Sequence, residues 1–145
     1  MPGYSQTVRN FGSVQRHIFD WTSNSSGVAS VVSNVPISGI IRRVVFQPSS
    51  TAAPTDLYDV VLTDSESMDV LAGQGANLGT ATTSNVCPGV PLKDGTTTSV
   101  APMAVNSILT LAVRTAKAWT FWLVRVRTFS NAGDTKSGKV ILYVE

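Results

Sequence analysis

The sequence predicts an all-β domain, built as an antiparallel β-sandwich or barrel. Short segments alternate apolar and polar residues with the period of two that a half-buried strand requires. Clusters of Gly, Pro, Asn and Ser separate these segments, and no stretch of about ten residues has the period of an amphipathic helix. We therefore expect eight or nine strands in a single domain over residues 14–145, preceded by an extended N-terminal arm over residues 1–13.

Each expected strand is bounded by turn residues and has its own pattern. In the first strand His17, Phe19 and Trp21 share one face, and the segment Tyr58–Asp64 alternates cleanly between apolar and more polar positions. In chain order the expected strands are Val14–Trp21, Val28–Val32, Ile37–Phe46, Tyr58–Asp64, Met68–Leu71, Thr96–Ala101, Ser107–Val113, Ala118–Thr128 and Lys139–Val144.

The strand Ile37–Phe46 has an unusual pattern, because both of its faces are apolar apart from one arginine each, Arg42 or Arg43. A strand that is apolar on both faces is usually buried on both faces. In a two-layer sandwich one face of every strand points away from the core. We therefore expect the second face of this strand to be covered by the arm, a loop or another subunit.

The composition is poor in charge. Of the 145 residues 43% are hydrophobic and only 14% are charged, whereas soluble domains average about 25% charged residues. Either Ser and Thr replace charge on a β-rich surface, or much of the surface lies against other subunits. The N-terminus lacks a signal-peptide pattern and no segment is apolar enough to span a membrane, so we expect synthesis and assembly in a cytoplasm.

The charged residues are segregated along the chain. Residues 51–92 contain no basic residue, and their acidic residues are Asp56, Asp59, Asp64, Glu66 and Asp69. Two interpretations remain open: an ordinary solvated charge pattern, or charge complementarity between the edges of neighbouring subunits. The net charge of +2 is too small to indicate nucleic acid as a partner.

No catalytic or cofactor motif is recognisable. The only histidine, His17, shares a strand face with aromatic residues and reads as a packing residue, and the only cysteine, Cys87, has no basic neighbour to activate it. The acidic cluster Asp64, Glu66 and Asp69 departs from the EF-hand pattern, so a plain acidic turn is favoured over a calcium site. We expect a protein that is not an enzyme and has no cofactor or metal.

Two segments are candidate contact surfaces. The N-terminal arm contains Tyr4, Val8 and Phe11, and it is either a frayed terminus or an arm that packs on a neighbouring subunit. One face of the strand Ala118–Thr128 begins with the aromatic residues Trp119 and Phe121 and ends with the arginines Arg125 and Arg127. That mixture is compatible with a core strand capped by arginines, with a subunit interface, or less readily with a single-stranded nucleic acid platform.

Five segments in a fixed order resemble one kind of protein. They extend from residue 38 to residue 143 and are Ser38–Phe46, Pro54–Asp64, Asp69–Leu71, Leu109–Val113 and Gly138–Tyr143. In these segments the chain resembles short structural proteins of tailed bacteriophages. Among those proteins it is most similar to the small jelly-roll decoration or cement proteins that clamp the capsid shell.

The resemblance implies a non-enzymatic virion component on the capsid exterior, assembled in the cytoplasm of the bacterial host. It implies a jelly-roll sandwich that binds the major capsid protein and forms a dimer or trimer, with neither a membrane nor nucleic acid as partner. A phage tail or baseplate module and a glycan-binding β-sandwich are the alternatives. Combined with the surface patterns, the candidate interface residues are Tyr4, Val8, Arg9, Phe11, Arg42, Arg43, Trp119, Phe121, Arg125 and Arg127.

Overall fold

A computed structural model of the chain describes residues 4–91, 98–100, 103–114 and 135–145. Across these residues the protein is all-β, as predicted, and has no helix. It has eleven strands rather than the expected eight or nine, because the N-terminal segment and several short segments also pair. The strands are β1 (Tyr4–Phe11), β2 (Val14–Thr22), β3 (Val28–Val32), β4 (Ile37–Pro48), β5 (Asp59–Thr63), β6 (Ser84–Val86), β7 (Gly89–Pro91), β8 (Thr98–Val100), β9 (Met103–Ser107), β10 (Thr110–Arg114) and β11 (Ser137–Val144).

The described strands form two main antiparallel sheets. The large sheet has the order β1-β2-β11-β4, and the far edge of β4 pairs with β6 at one end and with β9 at the other. The small sheet has the order β3-β10-β5, and β7 and β8 form a separate hairpin. From β2 to β5, and again from β9 to β11, consecutive strands alternate between the two main sheets. The chain is therefore a β-sandwich.

The core fills the space between the two sheets. Alternate residues of each strand point inward, and on β2 these include Phe19 and Trp21. The loop residue Tyr58 packs against Trp21, with 6.1 Å between ring centroids, and burial raises the pKa of the Tyr58 hydroxyl to about 12. The remaining strand residues of the core are Ala29, Val31, Ile37, Ile41, Val44, Phe46, Val60, Leu62, Val105, Leu111, Val113, Val140, Leu142 and Val144.

A β-bulge explains the two apolar faces of β4. Tyr143 pairs with Arg43 but the next residue, Val144, pairs with Ile41, so Arg42 is an extra residue in β4. Before the bulge the odd-numbered residues Ile37 and Ile41 point into the core, and after it the even-numbered residues Val44 and Phe46 do so. The expectation of one continuous strand with two alternating apolar faces was wrong in this respect, because the alternation is broken at Arg42.

Several boundaries differ from those expected. Residues Tyr4–Phe11 of the predicted arm form β1, which pairs with β2 along its whole length. The link is Gly12-Ser13, with Gly12 at φ 62°, as in a two-residue type II′ hairpin turn. The segment Met68–Leu71 is a turn with one bridge to β5, and β9 was not expected. The predicted strand Ala118–Thr128 lies outside the described residues.

Gly39 of β4 occupies a position that no other residue fits. Its φ is +136°, and a Cβ there would lie 2.5 Å from the carbonyl oxygen of Glu145. We expect Gly39→Ala to lower the free energy of unfolding by roughly 2–4 kcal/mol, because it adds both backbone strain and a clash. Urea denaturation measures this, with Ser38→Ala on the exposed side of the same strand as the control. Equal stability of the two variants would contradict the prediction.

Candidate functional site

The face of the large sheet that points away from the core, here called the outer face, is the most distinctive surface among the described residues. Cross-strand register arranges its side chains in rows that run over neighbouring strands. One row, here called the arginine row, consists of Arg9 on β1, Arg16 on β2, Tyr143 on β11 and Arg43 on β4. Three arginines thus lie within four adjacent strands.

The arginine row is electrostatically unfavourable in the isolated chain. Arg9 and Arg16 lie directly opposite each other, and like charges in that relation destabilise a sheet. The Nε of Arg16 is buried and has no hydrogen-bond partner within the described part of the chain. An unpaired buried donor of this kind costs roughly 1–3 kcal/mol. The row therefore leaves uncompensated positive charge on this face, which is the complement of a negatively charged surface.

Aromatic side chains accompany the arginines. The guanidinium of Arg16 lies 5.6 Å from the ring centroid of Phe11, and that of Arg43 lies 5.1 Å from the ring centroid of Tyr143. Arg43 also donates from Nε to Asn85 Oδ1 at 2.7 Å. Phe11 is 56% exposed, which is unusual for a phenylalanine. Arginines held in place by rings are the side chains that dominate protein interfaces.

Two further rows complete the outer face. The apolar row, next to the arginine row, consists of Ile18, Ile141 and Val45. Val45 is almost buried, because the longer side chains on both sides of the row shelter it. Beyond it, Lys139 and Asp20 form an ion pair of 2.7 Å. The face is thus apolar in its middle and charged on both sides, with free positive charge on one side.

The bulge adds a fourth arginine near the row. Arg42 donates from Nε to Glu145 Oε2 at 2.8 Å, and both side chains are about half exposed. An exposed pair of this kind contributes little to stability, typically below about 1 kcal/mol. Because Arg42 is paired, the arginines of this face that have no ion pair among the described residues are those of the arginine row.

The structure brings together some of the predicted interface residues and separates others. Arg9, Phe11, Arg42 and Arg43 all belong to the outer-face region. Val8 is 41% exposed but points to the opposite side of β1, and the position of Tyr4 is also on that side, opposite Trp21. The predicted residues outside the described part of the chain are Trp119, Phe121, Arg125 and Arg127.

Sequence reasoning missed Arg16, Tyr143 and the apolar row. Arg16 and Ile18 share a strand face in the sequence, as do Ile141 and Tyr143, so alternation places each pair correctly. What alternation does not provide is the neighbour relation between β2 and β11, which are separated by most of the chain.

The acidic segment has an internal structural use. Asp69 accepts hydrogen bonds from the backbone N–H groups of Leu71, Leu62 and Gly73, and Asp64 accepts from those of Glu66 and Met68. Asp56 and Asp59 each accept one more from the loop. These carboxylates hold the loop of residues 64–80 along β5 through its backbone N–H groups. Among the described residues no three His, Cys, Asp or Glu side chains cluster as metal ligands.

A shallow depression of about 460 Å³ lies at the end of the sandwich where β2, β4 and β11 meet. Its surface is about evenly polar and apolar, and the polar side chains of its lining include Asp20, Lys139, Gln47, Ser49 and Ser50. Trp21 contributes to the wall but is only 2% exposed, so its ring offers no open stacking surface.

His17 is buried between Gln6 and Gln15. Gln6 donates from Nε2 to His17 Nδ1, and His17 donates from Nε2 to Gln15 Oε1, each over 3.2 Å. The orientation of the Gln6 amide is fixed because its Oε1 accepts from the backbone N–H of Asn34 at 2.6 Å. The ring is therefore neutral, and burial lowers the pKa of His17 below its ordinary 6.5. This agrees with a packing residue.

We compared the chain with models of protein families, with curated proteins and with solved structures, and none of them matches it. In the residues that the structure describes, no helix is long and apolar enough to cross a membrane.

The lowered pKa of His17 predicts a loss of stability in acid. The unfolded chain takes up a proton near pH 6.5 and the folded chain does so only at lower pH, so the free energy of unfolding falls as pH drops below about 7. Urea titrations between pH 7.5 and 5.5 measure this slope. Because His17 is the only histidine, His17→Gln is expected to remove the slope over this range. A variant that retains it would contradict the assignment.

Proposed function

We propose that this chain is a structural protein of a tailed-phage virion, which decorates and cements the capsid shell by binding the major capsid protein. The observation that carries the proposal is the arginine row, a set of positive and partly unsatisfied side chains on a flat sheet face. The capsid as partner comes from the resemblance of the ordered strand segments. The alternation of consecutive strands between two sheets supports a jelly roll in particular.

The outer face is large enough to supply the greater part of a stable contact. Five strands spaced by about 4.8 Å, with three rows of side chains along them, cover a rectangle of roughly 500 Å². The accessible surface is larger than this rectangle because the side chains make it uneven. A stable interface takes about 800 Å² of accessible surface from each partner. The matching surface on the partner would present carboxylates to the arginines, since arginine binds carboxylates in a bidentate manner.

Copy number tests the proposal most directly. A shell component is expected in high copy, comparable to that of the major capsid protein, and quantitative mass spectrometry of purified virions of the phage that encodes the chain measures it. Absence from the particle would refute the proposal. A handful of copies would favour a tail or baseplate module instead.

A glycan-binding role is the second candidate, and the depression near Asp20 and Lys139 is the observation that favours it. Hydroxyl, amide and carboxylate groups of this kind bind sugar hydroxyls. Binding of the purified protein to a saccharide array, lost in Gln47→Ala but retained in Arg43→Gln, would support this candidate over capsid binding.

The arginine row predicts variants that separate binding from folding. Arg16→Thr removes the like-charge pair and the unsatisfied Nε, so we expect unchanged stability or a gain of up to about 1 kcal/mol. Binding to particles that lack the protein is expected to weaken at least tenfold for Arg16→Thr and Arg43→Gln, measured by co-sedimentation at two salt concentrations. Arg114→Gln, at a β10 position in the small sheet, is the control for charge. Equal weakening by the control would exclude the outer face as the contact.

A further inference from the structure

Among the described strands β1 lies at an edge of the large sheet, with β2 on one side and no described strand on the other. It has eight residues, a regular register with β2, no proline and a single charged residue, Arg9. No described strand pairs with its outer edge, and residues Thr7–Phe11 are exposed. Natural proteins usually blunt such an edge with charges, proline, a bulge or a covering segment.

The same molecule does cover another of its edges. The N–H of Val60 donates to the carbonyl of Gly75, and that of Val70 donates to the carbonyl of Leu62, so the loop of residues 64–80 closes the free side of β5. The aspartates described above hold this loop in place. The free edge of β5 is therefore covered by a loop, whereas no described segment covers the free edge of β1.

The hairpin fixes which groups of β1 point outward. The turn Gly12-Ser13 closes on the pair Phe11 and Val14, which exchange hydrogen bonds in a two-residue hairpin. Hydrogen-bonded and non-hydrogen-bonded pairs then alternate along an antiparallel ladder. Free N–H and C=O groups on the outer edge consequently belong to Tyr4, Gln6, Val8 and Asn10.

We propose that β1 pairs antiparallel with β1 of a second copy of this chain, with Thr7 on the two-fold axis. Gln6 then lies opposite Val8 of the partner subunit, and Ser5 lies opposite Arg9 of the partner subunit. The axis is perpendicular to the sheet, because antiparallel pairing of identical strands requires it. Both outer faces therefore lie on the same side of one continuous sheet. The pairing does not depend on what the outer face binds.

Charge complementarity selects this register. Arg9 is opposite Ser5 of the partner subunit, whose next neighbour in the row is Asp20 of the partner subunit. Asp20 also pairs with Lys139 of its own subunit, so Arg9 is a second cation beside the same carboxylate. The Cα atoms of Arg9 and of Asp20 of the partner subunit are two strand spacings apart, which is roughly 10 Å. An arginine and an aspartate side chain are together long enough to meet across this distance. If Val8 were on the axis, Arg9 would lie opposite Thr7 of the partner subunit, whose neighbour in the row is the uncharged Ile18 of the partner subunit. If Arg9 were on the axis, the two copies of Arg9 would lie directly opposite each other.

Disulfide cross-linking tests the register. In a Cys87→Ser background, Thr7→Cys is expected to form a disulfide-linked dimer under mild oxidation, since paired residues on the axis lie within the roughly 4.4–6.8 Å that a disulfide requires between Cα atoms. Ser5→Cys, on the same face of the same strand, is the control and should stay largely unlinked, because two copies of residue 5 lie far apart when Thr7 is on the axis. Cross-linking of the control in preference to Thr7→Cys would overturn the proposed register.

Blocking the edge tests the dimer itself. The unmodified chain is expected to have twice the protomer mass by light scattering, and Val8→Pro should weaken dimerisation at least a hundredfold, because it removes an outward N–H. Pairing of β1 with β2 survives this change, so a retained thermal unfolding transition verifies folding, with Val8→Thr as the control. A wild-type chain that is monomeric at all concentrations, or a folded Val8→Pro variant that dimerises normally, would overturn the proposal.

Discussion

One extra residue in β4 keeps the two faces of the large sheet chemically distinct. Without the bulge at Arg42, strict alternation from Ile41 would turn Arg43 and Gln47 toward the core and Phe46 away from it. The bulge places Phe46 inside and Arg43 in the arginine row. The core, the outer face and the pairing with β11 therefore all depend on where that single residue is inserted.

The charged residues of the outer face and those of the loop beside β5 have opposite effects on the stability of the chain. The aspartates of the acidic segment satisfy backbone N–H groups within the chain, and so contribute to stability. On the outer face Arg9 lies opposite Arg16, and the Arg16 Nε has no partner among the described residues, so this pair reduces stability. In a sequence with few charges, two that lie directly opposite each other on one face fit the proposed contact surface better than they fit the stability of the monomer.

The sequence predicts the fold class well, because alternation and turn composition are local properties. The bounds of Val28–Val32 are the same in prediction and structure. The hairpin at Gly12-Ser13 was missed although Gly-Ser between two strands is a turn signal, since β1 lies at an edge and lacks a strong apolar period. The bulge at Arg42 and the arginine row were not predictable, because both depend on pairing with β11, which is distant in sequence.

The central position of β11 has a consequence for synthesis. β11 pairs with β2 on one side and β4 on the other, and it is the last of the described strands to leave the ribosome. At roughly 5–20 residues per second, the stretch between β4 and β11 takes on the order of 5–20 seconds to translate. During that interval β2 and β4 have edges that await β11 and apolar faces that are not yet covered, which is the kind of surface that chaperones bind on nascent chains.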